Sequence, residues 1–476
     1  MINSTDIAIT GPAFVLDLSP VDQLFASIYS RRVLAFESAE YDSVNITKIL
    51  TSALQATVDQ IPYLAGTLLG PIITGRTDGN AIVEKGTAHL FVRDLRHNIN
   101  FTRLKAQGFP SSELPHEELC PVPFMARLYE PRDACRIQVN FVNGGLLIVF
   151  CFHHVIFDGM AITNVTKLFS HHCAAFQRDN NYDRGAILAQ MSPSLDLNRS
   201  AMLQCEHGNM DRVLQHYGQL DAPRQDGKSA AASAPPSVIL TRDFRMSTTA
   251  VARLKRAASP SIAGEWISSS DAVNALIWRC VMRARLGAKL IQADDMVTHR
   301  FLYQFRHMLP VPLSLGWLGN ASTGLNVKAM SVSDLLAPTG LSRAAQEIRK
   351  TIRSVDSQLF SSLVEFAKTH NPLYISQSLE KIQTTTVTIT SQRDFDHSSM
   401  VWGEALGTFQ RLCVTSSPIS LSGFVMIKPP LPDGSWEVSI PLRDDCIAFL
   451  EKDEEWAAYT KEVITPIVNG NGDDHE

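Results

Sequence analysis

A chain of 476 residues is too long for one ordinary hydrophobic core, so two domains are expected. Apolar residues make up 45% and charged residues 19%, with a formal net charge of -5, so the clustered Lys and Arg of a nucleic-acid surface are missing. No basic stretch leads into an apolar one at the N-terminus, and no window of about 18 uncharged apolar residues occurs, so neither a secretory signal nor a membrane-spanning helix is expected.

The eight cysteines, at 120, 135, 151, 173, 205, 280, 413 and 446, contain no CxxC pair. Free thiols in a reduced, cytoplasmic compartment fit that scatter. The run "VNITKILTSALQATVDQI" (44–61) places apolar residues at 46, 49, 50, 53, 54, 58 and 61, a helical period stopped by Pro62. "RIQVNFVNGGLLIVFCF" (136–152) holds two β-rich runs around Asn143-Gly144, which predicts a hairpin. The second run is apolar on both faces and is expected to be a central strand.

"FHHVIFDGMA" (152–161) leaves directly from the end of that strand. After it, Ile162, Val165, Leu168 and Phe169 mark an amphipathic helix to about residue 177. The segment 218–237, "GQLDAPRQDGKSAAASAPPS", carries almost no large apolar residue and reads as a crossover linker between a domain of residues 1–217 and one of residues 238–476. Its "GKS" is no phosphate loop, because Ala222 stands where the required upstream glycine belongs.

Beyond the linker, "SVILTRDFRM" (237–246) is a strand and "SSSDAVNALIWRCVMRARLG" (268–287) a capped helix ended by Gly287. Another helix is expected over 341–356. "GFVMIKPPLPDGSWEVSIPLR" (423–443) is a hairpin around Asp433-Gly434, followed by a helix from about Asp444. The irregular mixture of strands and helices in both halves predicts two α/β sandwiches in place of a doubly wound sheet.

The histidine motif admits several chemistries. Adjacent residues of a strand face opposite ways, so His153 and His154 cannot both serve one metal ion, and no metal ligand is assigned. His171 and His172 diverge by about a hundred degrees on the following helix. No GxSxG elbow is present, nor any cysteine with a local activating signature. One chemistry survives, a single histidine acting as general base at neutral pH. Against it stands the plain alternative of two structural imidazoles at a strand end. Asp158 could fix the turn or bond the imidazole, and Gly159 would let the chain swing from strand into helix.

The HHxxxDG stretch resembles that of the CoA-dependent acyltransferase superfamily, and further segments resemble its BAHD branch, particularly the fungal secondary-metabolism members. "SSSDAVNALIWRCVMRAR" is similar to the family's Ser/Thr-x-D-A-L-x-A-L-I-W-R helix, and "RHMLPVPLSLGWLGNA" (306–321) to its R-x-R-L-x-P-P-L-P…GN segment. "TSQRDFDHSSMVWGEALG" (390–407) resembles TSWRDF…DFGWG-x-LG, and residues 433–456 resemble the closing hairpin and helix. The matches keep the family's order from about residue 40 to 456. Two departures stand out. The DFGWG signature survives only as Ser399-Met400-Val401-Trp402-Gly403, and Gln392 replaces a tryptophan that borders the acceptor pocket in relatives.

The resemblance implies two chloramphenicol-acetyltransferase-like α/β sandwiches with the active-site tunnel between them. His154 would be the base, and Asp158 a structural aspartate paired with Arg306. Thr390 would be an oxyanion or acceptor contact, and Gln392 would line the acceptor pocket. Trp402 and Gly403 would lie near the CoA channel, with Trp402 equally readable as plain core. The expected activity is acyl transfer, by default of acetyl, from acyl-CoA to a hydroxyl of a polyketide, terpenoid or alkaloid. It would be carried out by a monomer without a resident cofactor. Two alternatives stay open at this level. One is a condensation-type enzyme using a carrier-protein thioester, or a cyclase, on the same fold; the other is a non-catalytic small-molecule binder.

Overall fold

The computed structural model describes residues 4–25, 27–74, 81–123, 130–204, 208–217, 238–261, 264–369, 384–415 and 421–462. The expected linker 218–237 and Cys205 lie outside these residues. The other seven cysteines are free and buried.

Two large mixed sheets organise the chain. Among the described residues the first runs in the order Ser4–Ile9, Ala88–Asp94, Cys135–Val142, Gly145–His153, Tyr29–Glu37 and Thr408–Cys413. The strand Gly145–His153 is fully buried and lies between two antiparallel neighbours, the central position that its unbroken apolar run predicts. Its even residues Leu146, Ile148, Phe150 and Phe152 join the core under helices Ser43–Gln60 and Gly159–Arg178. Its odd residues Leu147, Val149 and Cys151 join a separate core on the opposite face. This two-residue alternation decides which way each histidine points at the strand's end.

The second sheet runs Ser322–Asn326, Met296–Gln304, Thr386–Ser391, Phe424–Ile427, Trp436–Arg443, Ile239–Met246 and Lys461–Glu462. Helix Ser269–Gly287 supplies much of its core through Val273, Leu276, Ile277, Trp278 and Cys280. The helix begins with a reciprocal cap. The Ser268 hydroxyl accepts from the Asp271 amide, and the Asp271 carboxylate accepts from the Ser268 amide, two donors satisfied at once. The other expected elements appear as Gly340–Arg353, the hairpin strands Phe424–Ile427 and Trp436–Arg443, and Asp444–Leu450.

The halves are stitched together rather than merely touching. Strand Thr408–Cys413 belongs to the second half in sequence yet pairs with Tyr29–Glu37 in the first sheet. A buried charge cluster adds a second tie. The Ser111 amide and hydroxyl both donate to Asp243 at 2.7 Å, and Lys428 Nζ sits 2.9 Å from Asp243 and 2.7 Å from Glu437. Arg411, on the crossing strand, donates to Glu437 and to the Gly108 carbonyl. Buried ions of this kind are tolerated only when each is paired.

Candidate active site

The turn 153–158 joins the central strand to helix Gly159–Arg178, and backbone contacts define it. The His153 amide donates to the Ala134 carbonyl and the His154 amide to the Ile28 carbonyl, both at 2.9 Å. The Ile156 amide closes the turn onto the His153 carbonyl at 3.0 Å. His153 is fully buried against the edge of Tyr29, with ring centroids 5.1 Å apart. Burial and the neighbouring His154 hold its pKa down at about 3. Such a ring stays neutral and packs as core.

His154 faces the other way. It is half-buried, and its ring stacks on Phe25 at 4.9 Å with planes 15° apart. Burial lowers its pKa below the ordinary 6.5, as does the Arg32 charge, while its own backbone, Asp158 and Asn320 push the other way. The imidazole is therefore neutral at pH 7, the form that accepts a proton.

Asp158 fixes the turn and does not bond the imidazole. Its carboxylate caps the helix through the Ala161 amide at 3.0 Å and accepts from the Ala321 amide at 3.0 Å. Arg306 grips it with both terminal nitrogens, at 2.8 and 2.9 Å. Both side chains are buried. Burial alone would raise the carboxyl pKa, but the Arg306 charge and these hydrogen bonds outweigh it and hold the group below its usual range. Arg306 further donates to the carbonyls of Trp317 and Gly319, at 3.0 and 2.8 Å. One buried ion pair thus pins the histidine turn of the first half to the 317–321 segment of the second.

Gly159 corrects the sequence argument. Its φ is not among the positive ones, so no special turn calls for glycine. Crowding does: an added Cβ would lie 2.6 Å from the Phe395 ring. Beneath it lies the fully buried Arg32, which donates to the Gly159 carbonyl and the Thr163 hydroxyl, both at 2.9 Å. Burial lowers the Arg32 pKa to about 9. Gly159→Ala is expected to destabilise the protein by roughly 1–3 kcal/mol, the usual scale of overpacking. A lowered denaturation midpoint checks this; an unchanged one would show that Phe395 yields freely.

The remaining sequence candidates are more scattered. Thr390 and Gln392 lie at the end of strand Thr386–Ser391, where Thr390 pairs with Met426. The buried Gln392 amide reaches Met426 Sδ at 3.4 Å, and its Oε1 is buried without a partner. Neither hydrogen-bonds to the histidine turn among the described residues. Trp402 packs in the first core against Phe36, Phe150 and Phe169. Gly403 has φ of 79°, and a Cβ there would meet the Gln177 side chain at 2.3 Å.

Loss of the DFGWG aspartate leaves this segment tethered by other means. Asp396 pairs with Lys167 at 3.3 Å and accepts from the Ser399 amide. The Val401 amide donates to Ser170, and Gln177 holds both the Trp402 carbonyl and the Ala405 amide. The stretch is sewn along the same helix that Asp158 caps.

Sequence reasoning missed three site residues. Asp22 and Arg199 form a second buried ion pair, at 2.8 Å, and Asn320 donates from its side chain to Asp22 and to the carbonyls of His154 and Val155. Only the "GN" of "GWLGNA" hinted at Asn320. Nothing local marks Asp22 or Arg199.

Residues 28–173 match the trichothecene 3-O-acetyltransferase-like N-terminal domain. The chain is 29% identical to the enoyl-CoA isomerase/hydratase claC of Penicillium crustosum, over 95% of this chain but 51% of that protein, so it spans about half of that relative's length. It is 24% identical to the eremophilane O-acetyltransferase prx11 of Penicillium rubens, over 93% of this chain and 97% of that one. Among solved structures, F. sporotrichioides TRI101 with coenzyme A and T-2 shares the architecture at TM-score 0.79 and 22% identity, covering 94% of this chain and all of that one. At that identity the likeness speaks for the fold. The matched domain, the O-acetyltransferase relative and the shared architecture point one way: the chain has the fold of TRI101 and is similar to fungal O-acetyltransferases.

Proposed function

We infer that this chain transfers an acyl group, acetyl by default, from acyl-CoA to a hydroxyl of a secondary metabolite, with His154 as general base. The observation that carries the reading is a neutral, half-buried imidazole at a strand end whose turn is locked by the buried Asp158–Arg306 pair. The full-length relative acting as an eremophilane O-acetyltransferase supports acetyl as donor group and a terpenoid-like alcohol as acceptor. A polyketide or alkaloid alcohol is compatible with the same chemistry.

His154 takes the acceptor's hydroxyl proton as the oxygen attacks the thioester carbonyl carbon. A tetrahedral oxyanion forms and requires donors placed in advance; Thr390 and nearby backbone N–H groups are the proposed candidates, with an acceptor contact the alternative role for Thr390. Collapse breaks the C–S bond, and the imidazolium returns its proton to the CoA thiolate. Ester and free CoA leave, and the enzyme is unchanged. Since the ring is already neutral, the remaining gain comes from holding both substrates in line.

The pH profile follows from the lowered His154 pKa. Protonation removes the base, so kcat/KM falls on the acid side, and a depressed pKa moves that fall to lower pH. We expect kcat/KM to be level from about pH 7 upward, with the acid inflection below 6.5. An inflection above 6.5 would contradict the burial argument.

Residues of the site come from both sides of positions 218–237 within one chain, which supports a two-domain monomer. The free, buried thiols of the described residues suit a reducing compartment such as the cytoplasm. No described helix is long and apolar enough to cross a membrane. The reading is tested by incubating the protein with acetyl-CoA and a pool of terpenoid and polyketide alcohols, then searching for acetyl esters by mass spectrometry. Ester formation supports it. Transfer from a carrier-protein thioester but never from a CoA ester would replace it with the condensation-type alternative.

A further inference from the structure

We propose that the buried guanidinium of Arg32, beside the N-terminal end of helix Gly159–Arg178, binds a carboxylate carried by one of the two substrates. The chain thus selects either a hydroxy acid as acceptor or a dicarboxylic acyl group as donor. The proposal rests on the acyl-transfer reading, which supplies those two substrates.

Arg32 lies opposite Phe150 in the first sheet. Directly paired residues share a face, and alternation carries that face on through Phe152 to His154. The guanidinium is 1% exposed, yet only two of its five N–H groups have acceptors among the described residues. Nη2 donates to the Gly159 carbonyl and Nη1 to the Thr163 hydroxyl, both at 2.9 Å, while Nε is buried without a partner. Other buried cations of the chain are neutralised or filled. Arg199 has Asp22, Arg306 has Asp158, and Lys428 has Asp243 and Glu437. Arg285 gives its protons to the carbonyls of Thr384, Thr386 and Ser422. No carboxylate pairs with Arg32 among the described residues, and the one whose charge it feels, Asp158, is gripped by Arg306.

A buried charge without a counter-ion is costly, and here a second positive source stands beside it. Helix Gly159–Arg178 is 20 residues long, and its N-terminal amides favour negative charge. The face of the Phe395 ring, 5.2 Å from the guanidinium carbon, returns only part of the missing counter-charge. Two residues on, His397 has both ring nitrogens buried without a partner, and burial and the Arg32 charge hold its pKa down at about 3. That neutral ring offers one further N–H. A carboxylate fits these groups. It takes paired N–H donors from a guanidinium and replaces the Phe395 ring, which is only half-buried. The CoA diphosphate does not fit, because so buried a slot admits a small planar anion and not a solvated dianion.

The test compares substrate pairs that differ by one charge, in wild type and Arg32→Met. The donor arm sets malonyl-CoA against acetyl-CoA with neutral alcohols. The acceptor arm sets aliphatic and aromatic hydroxy acids against their methyl esters, with acetyl-CoA. We expect one arm to favour the anion in kcat/KM, and Arg32→Met to lose about 30-fold or more of that preference, the scale of stranding a buried charge partner. The arm that responds names the source of the carboxylate. Equal use of both members in both arms, or preference for the neutral one, overturns the proposal. So does a preference that folded Arg32→Met retains. If Arg32→Met does not fold, Arg32→Lys, which keeps the charge without the fork, takes its place under the same criterion. Thermal melts with the same compounds read binding without turnover. An anion preference in the melts without any acyl transfer keeps this proposal and removes the enzyme reading; transfer that ignores the charge does the reverse.

Discussion

His154→Ala is expected to lower kcat for acyl transfer by about 10²–10⁴-fold while leaving the protein folded. The ring sits at the end of a strand whose hydrogen bonds are made by backbone, and its amide keeps its bond to the Ile28 carbonyl. What the substitution removes is a neutral imidazole, the proposed base, and its stacking contact with Phe25. The fold does not depend on either, so the stability loss should stay within about 1–2 kcal/mol. KM for acyl-CoA should move little, because a base acts chiefly in the transition state. Steady-state kinetics beside a thermal melt check both halves of this expectation.

Asp158→Ala should instead lose stability and activity together. It strands the Arg306 guanidinium, fully buried, and deletes the helix cap on Ala161 and the acceptor of the Ala321 amide. Breaking one side of a buried pair costs about 3–5 kcal/mol, against about 1 kcal/mol for an ordinary cap. The double variant Asp158→Ala/Arg306→Met should regain part of that stability, since an apolar replacement of a whole buried pair is often neutral. Activity should not return with it, because the Trp317 and Gly319 carbonyls also lose their donor. Equal melting of wild type and the single variant would show the pair to be energetically idle.

The two variants divide the motif by function. Under the proposed function, His154 acts on the substrate and little else. Asp158 acts on the fold and reaches the chemistry only through the turn it holds.

Much of this was legible in the sequence where physics acts over a few residues. The 3.6-residue period of Ile46, Ile49, Leu50 and Ala53 gave helix Ser43–Gln60, and Ser268 with Asp271 marked a helix start. Asn143-Gly144 marked the hairpin, and the doubly apolar run after it marked the central strand. Strand alternation set His153 and His154 on opposite faces, but only the family resemblance named His154 as the base.

Long-range pairings were not legible in the same way. Asp22 meets Arg199 across 177 positions and Asn320 across 298, and no spacing rule connects them. Arg306 was matched to Asp158, 148 positions away, only through family resemblance. Gly159 shows the opposite failure: local reasoning supplied a turn where a distant Phe395 ring supplies the constraint. The crossing strand Thr408–Cys413 is of the same kind. Its sequence suits a strand, yet nothing in it says that its partner is Tyr29–Glu37 in the other half.

The most direct test of the account is the release of CoA thiol from acetyl-CoA, measured with and without an alcohol acceptor, for the wild type and folded His154→Ala in parallel. The account predicts acceptor-dependent release that the variant loses by at least about a hundredfold. Acceptor-dependent release that persists in His154→Ala would contradict it, and the half-buried imidazole at the strand end would then be a structural residue.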